Sequence, residues 1–145
     1  MMTMNRPGAL RIDKLYGLFL SIFMTITGCS QKMPVCEEIN QNAVLSPDYI
    51  SVTIPPNIAP LNFRINETAE KYVARFHNSD GIDFAVSSGD GSIKIPGKKW
   101  HKLLSTSISK EFYVDIVVKK SQKWVKFNSF DFFVNSIRTN FLLYK

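Results

Sequence analysis

The stretch EFYVDIVVKK, residues 111–120, constrains this chain more than any other. Phe112, Val114, Ile116 and Val118 fall on one side of an extended backbone, and Tyr113, Asp115 and Val117 on the other. Successive side chains of a strand point to opposite faces, so this spacing builds one apolar face and one mixed face. Placed at 3.6 residues per turn, the same residues form no single apolar stripe. The segment therefore reads as a strand near the centre of a core, and the rest of the chain supplies its neighbours. Ile50, Val52 and Ile54 alternate with Ser51 and Thr53 until Pro55-Pro56, which has no N–H for a ladder, stops the run. Leu61, Phe63 and Ile65 alternate with Asn62 and Arg64, and Tyr72, Ala74 and Phe76 with Val73 and Arg75. Asn78-Ser79-Asp80-Gly81 is a turn cluster, after which Ile82, Phe84 and Val86 return. Gly89-Asp90-Gly91 is a second hairpin signal, followed by Ile93 and Ile95. After a polar turn over residues 119–123, residues 124–127 and 130–134 complete a hairpin. Strand, turn, strand at this spacing implies antiparallel neighbours.

One helix interrupts the series. Pro96-Gly97 opens it, and Trp100, Leu103 and Leu104 stand at i, i+3 and i+4, one apolar face. Lys98, Lys99 and Lys102 fall outside that face. So short a helix does not stand alone and is expected to cap a sheet. Seven or so strands with one helix predict an all-β fold, an immunoglobulin-like antiparallel β-sandwich. The Cys–Trp–Cys pattern of true immunoglobulin domains is absent, so the expectation covers the architecture only.

The N-terminal region has a different character. Arg6, Arg11 and Lys14 precede an apolar run over residues 15–26, and Ile26-Thr27-Gly28-Cys29 closes it. A basic start, a short apolar centre and small residues at the end make an export signal. The run falls short of the roughly 20 apolar residues that span a bilayer. The closing tetrapeptide resembles the lipobox of bacterial lipoproteins. That resemblance implies cleavage before Cys29, a diacylglycerol on its thiol, and a chain held to the membrane by lipid. Ser30, where an Asp would resemble an inner-membrane retention signal, points to the outer membrane, facing the periplasm. With Cys29 lipidated, Cys36 has no second cysteine to bond, which in an oxidising compartment suggests an intermolecular bond or an unoxidised thiol.

Of 145 residues, 18 are basic and 12 acidic, a net charge of +6. Residues 1–28 hold three basic and one acidic residue, so the remainder carries 15 and 11, or +4. That mild excess leans toward anionic headgroups and is no argument for nucleic acid. The organisation expected is a signal peptide over 1–28, a polar lipidated tether over 29–47, a β-sandwich over 48–135, and a C-terminal tail over 136–145. In that tail Phe141, Leu142, Leu143 and Tyr144 form an apolar run. It reads either as a last docked element or as the start of a missing domain.

LSPDYISVTIPPNIAPLNFRI (residues 45–65), IPGKKWHKLL (95–104) and WVKFNSFDFFV (124–134) look like the N-terminal module of a group of Bacteroidetes lipoproteins. In that group the module precedes a TolB-like β-propeller. The resemblance implies a truncated copy, and it brings no catalytic residues with it.

No catalytic constellation emerges. His77 and His101 lack a Cys or acidic cluster beside them, and neither cysteine reads as a metal ligand. Asp80, Asp83 and Asp90 lack the alternating series and closing Glu of a calcium loop. No nucleophile elbow, P-loop or dinucleotide pattern occurs. No cofactor is expected. Lys119, Lys120, Lys123, Lys126 and Trp124 carry the composition of a single-strand nucleic-acid platform, but export argues against nucleic acid. The expected function is that of a non-enzymatic, membrane-anchored envelope lipoprotein, an adaptor or positioning module with an envelope protein partner. The alternatives are a glycan-binding module using Trp124 and Tyr113, or a non-functional fragment of a longer propeller lipoprotein.

Overall fold

A computed structural model describes residues 35–137. The described residues belong to one compact unit. The expected export signal, Cys29 and the run at 141–144 lie outside the described residues. The described part is all-β with one helix, as the alternating pattern requires.

The core strand is β8, Glu111–Lys120, with Phe112, Val114, Ile116 and Val118 at 0% exposure. One side of it pairs antiparallel with β5, Lys71–His77, from Lys71↔Lys119 to His77↔Tyr113. Beyond β5 lies β6, Asp83–Ser88, joined through the Asn78–Gly81 turn. On its other side β8 meets two strands end to end. β9, Lys123–Lys126, pairs with residues 117–120, and β10, Phe130–Val134, with residues 111–114. The hairpin expected beyond the polar turn is present: 124–127 and 130–134 both return along β8 and do not pair with each other. They are halves of one return strand, broken at Phe127–Ser129, where the Phe127 N–H still donates to the Ile116 carbonyl at 3.0 Å.

Two short strands finish this seven-stranded sheet in parallel pairings. β1, Glu37–Glu38, lies along β9, and β3, Val52–Ile54, lies along β10. A three-stranded antiparallel sheet faces it: β2, Leu45–Ser46, then β4, Phe63–Ile65, then β7, Ser92–Ile93. Ile54, Ile65, Phe76, Ile93, Phe112 and Phe132 meet in one apolar core between the sheets. Where β7 approaches β4, Gly91 has φ +84°, and a Cβ there would sit 2.6 Å from the Ile65 carbonyl oxygen. The turn needs glycine for both reasons.

The helix α1, Gly97–Thr106, lies where the i, i+3, i+4 pattern puts it, with Trp100, Leu103 and Leu104 at 0% exposure. Trp100 meets Phe112 edge to face at 5.8 Å and donates its indole N–H to the Ile58 carbonyl at 3.0 Å. Buried indoles need such a partner.

The boundary expected at 47/48 is corrected. Residues 37–46, read from sequence as tether, are part of the folded unit. Glu37 and Glu38 pair with Val125 and Lys126, and the Ile39 N–H donates to the Lys126 carbonyl. Ala43 and Leu45 are buried in the core, and the Asn66 N–H donates to the Val44 carbonyl. The segment looked aperiodic because its two strands have two residues each, too few to show alternation.

Candidate functional site

The outward face of the large sheet collects most of the polar chemistry. Across it, β5 presents Arg75 and His77, β6 presents Asp83, β8 presents Glu111, Tyr113 and Asp115, and β9 presents Trp124 and Lys126. These follow from the pairings Arg75↔Asp115, Arg75↔Ala85, His77↔Asp83, Val117↔Lys126 and Lys119↔Trp124.

Asp115 is the centre of this face. It is 4% exposed, in the middle of the longest strand. The Ser129 hydroxyl donates to its Oδ1 in a short hydrogen bond. Arg75 Nη1 lies 3.6 Å from its Oδ2, and Lys126 Nζ 3.8 Å from its Oδ1. His77 Nε2 lies 3.2 Å from Oδ2, close enough for an ion pair when the ring is charged, but not aligned as a hydrogen bond. The break between β9 and β10 is what aims Ser129 at Asp115. A buried carboxylate requires such partners.

Arg75 also forks onto Asp83, Nε to Oδ1 at 2.9 Å and Nη2 to Oδ2 at 2.6 Å. That hydrogen bonding holds the Asp83 carboxyl below the usual carboxylate range and raises the Arg75 guanidinium further. Lys126 bridges outward to Glu38 Oε1 at 3.2 Å, tying β1 into the network.

Serine, histidine and aspartate meet here, but in the wrong order for acyl chemistry. A nucleophile needs the imidazole beside its hydroxyl, with the carboxylate behind the ring. Here the carboxylate stands between Ser129 and His77, so the ring cannot take the serine proton. The carboxylate accepts one hydrogen bond, from Ser129, and stands within ion-pair distance of Arg75, His77 and Lys126, which ties β5, β8 and β9 together, with β1 joined through Lys126 and Glu38. Among the described residues, no three His, Cys, Asp or Glu side chains converge on a metal site.

The two ligand-binding candidates occupy this same face but do not come together. Tyr113 is 40% exposed near one end, and Trp124 is half-buried beyond the other, opposite Lys119. Six residues along β8 separate their levels, about 20 Å at strand spacing. Trp124 lies outside the apolar core. Tyr113 has other aromatic company. It stacks on His77 with ring centroids 5.8 Å apart, and its hydroxyl donates to Glu111 Oε2 at 2.8 Å. That bond, together with the Glu111 charge, pushes the phenol up. Phe133, 38% exposed, sits opposite Glu111 and so diagonal to Tyr113, roughly 7–8 Å away. His77, Tyr113 and Phe133 thus make a short aromatic row across β5, β8 and β10.

Sequence reasoning passed over Asp115 as part of a mixed face, and gave Phe133 and Ser129 no role. The signal for Asp115 was present, since a lone acid between Val114 and Ile116 in a buried strand demands partners. Nothing local flags Ser129, because its role depends on the strand break. A shallow depression of about 160 Å³ lies beside β3, lined by Thr53, Ile54, Pro55, Asn135 and Ile137. That is small against the roughly 300 Å³ or more of ligand pockets. No helix among the described residues is long and apolar enough to cross a membrane.

Comparison with protein-family models, with curated proteins and with solved structures finds no match.

Proposed function

We propose that this protein is a non-enzymatic, lipid-anchored lipoprotein of the bacterial envelope, its β-sandwich serving as an adaptor that positions a protein partner at the outer membrane. The observation that carries the reading is the signal-like run ending in Ile26-Thr27-Gly28-Cys29, followed within eight residues by the first strand of a folded domain. Two buried acyl chains at about 0.8 kcal/mol per CH₂ anchor a chain stably where one is marginal. The adaptor part is supported by β6, a six-residue strand with a strand neighbour on one side only among the described residues. Such an edge recruits a partner strand.

Labelling with a fatty-acid analogue tests the anchor. The intact chain takes the label and floats with membranes, and Cys29→Ser does neither. Persistent labelling of the Cys29→Ser chain sinks the lipobox reading. A photo-crosslinker at Ala85 or Ser87, in intact cells, tests the adaptor surface.

A second reading rests on the His77–Tyr113–Phe133 row. Aromatic rings in a line on a sheet face suit sugar rings, which makes this face the glycan surface of the alternative function. Trp124 stands too far from the row to share one short glycan. Binding of envelope glycan fragments that disappears in Tyr113→Ala and Phe133→Ala, while crosslinking at β6 captures nothing, selects this reading over the adaptor.

A further inference from the structure

We infer that the end of the domain carrying the β8–β9 turn, with Val35, Lys71, Lys123 and Trp124, rests on a bilayer surface rich in anionic phospholipid headgroups. The inference rests on the lipoprotein reading and specifies its geometry.

The register of β1 decides which end is meant. Glu37 pairs with Val125 and Glu38 with Lys126, in parallel. Going back from Glu37 therefore runs back along β9, so Cys36 comes level with Trp124 and Val35 with Lys123. The chain enters the domain beside the Ser121-Gln122 turn.

Chain length then limits the choice of face. Eight residue steps separate Cys29 from Glu37, a reach of about 29 Å at full extension. The β8–β9 turn lies only about 10 Å from the level of Glu37, and the Glu111 end of β8 about 23 Å the other way. Presenting the Glu111 end to the bilayer requires the tether to run almost fully stretched along the sheet. Presenting the turn end costs the tether nothing.

The chemistry of that end fits the surface. Val35 is 99% exposed. Trp124 is half-buried, with the amphipathic ring that suits headgroup depth. Four lysines gather there, since Lys71 pairs with Lys119, and Lys120 with Lys123. Glu67 takes Lys120 at 3.1 Å and Glu70 takes Lys119 at 3.9 Å. Lys71 and Lys123 are exposed and have no carboxylate partner among the described residues; with Glu37, exposed beside Val125, set against them, the end keeps a small positive excess. Clustered lysines beside an anchor are attracted to anionic lipid.

The test uses the full lipidated chain in vesicles of phosphatidylcholine and phosphatidylglycerol in equal parts, with a phosphatidylcholine brominated high on its acyl chains as quencher. Trp100, at 0% exposure beneath Phe112, is a built-in control. The expected result is loss of most Trp124 emission. The Trp124→Phe chain keeps its remaining emission, and Lys71→Glu with Lys123→Glu restores most of the lost signal. Near-UV circular dichroism verifies that each variant keeps its packing. A chain that is labelled and floats with the vesicles, yet shows no quenching of Trp124, overturns this orientation and leaves the anchor intact. A chain that takes no label and does not float overturns both. Quenching that is equal in pure phosphatidylcholine and after both charge reversals supports the orientation and overturns the part given to the lysines.

Discussion

Asp115 shows how one side chain fixes an arrangement that the backbone alone leaves loose. A buried carboxylate in a sheet centre costs free energy unless it is paired, and removing one member of such a group is expensive because the others stay behind. Asp115→Ala leaves the Ser129 hydroxyl, the Arg75 and Lys126 charges and the His77 ring around an empty position. Arg75 and Lys126 keep 34% and 28% of their side-chain surface in water and rehydrate in part. The expected loss is therefore roughly 3 kcal/mol, the low end for broken buried pairs. Ser129→Ala should lose about 2 kcal/mol, because a hydrogen bond to a charged group contributes roughly 1.5–3 kcal/mol. Urea unfolding measures both, and equal losses would mean that the carboxylate is not the hub. Asp83 adds a pH dependence. Its carboxyl is held low first by the Arg75 hydrogen bond. A depressed carboxyl stabilises the fold at pH above its unfolded value near 3.9, and that contribution disappears as pH falls through the folded value. Wild type and Asp83→Asn should thus differ at neutral pH, begin to converge at about pH 4, and meet only once pH has fallen through the lower folded value. The gap should stay under about 1 kcal/mol, because Asp83 keeps 52% of its side-chain surface exposed.

At the scale of elements, the β8–β9 turn contains an avoidable strain. Its two central residues, Ser121 and Gln122, have φ of 48° and 69°. Two-residue hairpin turns with positive φ at both centres favour Asn-Gly, because left-handed backbone is costly for other side chains. Gln122→Gly should stabilise the domain by about 1 kcal/mol, seen as a higher urea midpoint at unchanged slope; a lower midpoint would overturn this reading of the turn. The elements that sequence made legible are those long enough to show a period. β5, β6, β8 and α1 lie where alternation and the Trp100–Leu104 spacing put them, and the Asn78–Gly81 turn joins β5 to β6 as a hairpin. The hairpin expected at Gly89–Gly91 is not formed: that turn carries the chain from β6 to the other sheet, where β7 pairs with β4. What escaped has a common cause. β1 and β2 have two residues each, so they owe their place to Val125, Lys126, Ile65 and Arg64 across the ladder rather than to their own pattern. The β9–β10 break was legible as two separate segments, 124–127 and 130–134, while β8 alone sets which half pairs where. The site followed suit: Tyr113 and Trp124 were legible as residues, but their separation along β8, and the gathering of donors around Asp115, belong to tertiary register.

At the scale of the molecule, the fold makes the domain begin earlier than its alternation does, and this is open to a direct test. Residues 37–46 contribute two strands, the buried side chains of Ala43 and Leu45, and backbone bonds that include Ile39 to Lys126 and Asn66 to Val44. Burying a leucine alone stabilises by about 1.5–3 kcal/mol. Losing the segment also opens β9 along its outer side and leaves β4 with one neighbour. Domains have only about 5–15 kcal/mol in reserve, so a chain beginning at Asp48 should melt at a much lower temperature than one beginning at Val35, or lose the near-UV dichroism of Trp100 and Trp124 while keeping its strands. Equal melting temperatures would restore the tether reading of 37–46. The outcome matters beyond stability. If those residues are part of the sandwich, seven residues lie between Cys29 and β1, and a lipidated cysteine holds the domain against its membrane. If they come away, the leash gains ten residues and about 33 Å of reach, and the domain is free to meet partners well off the surface.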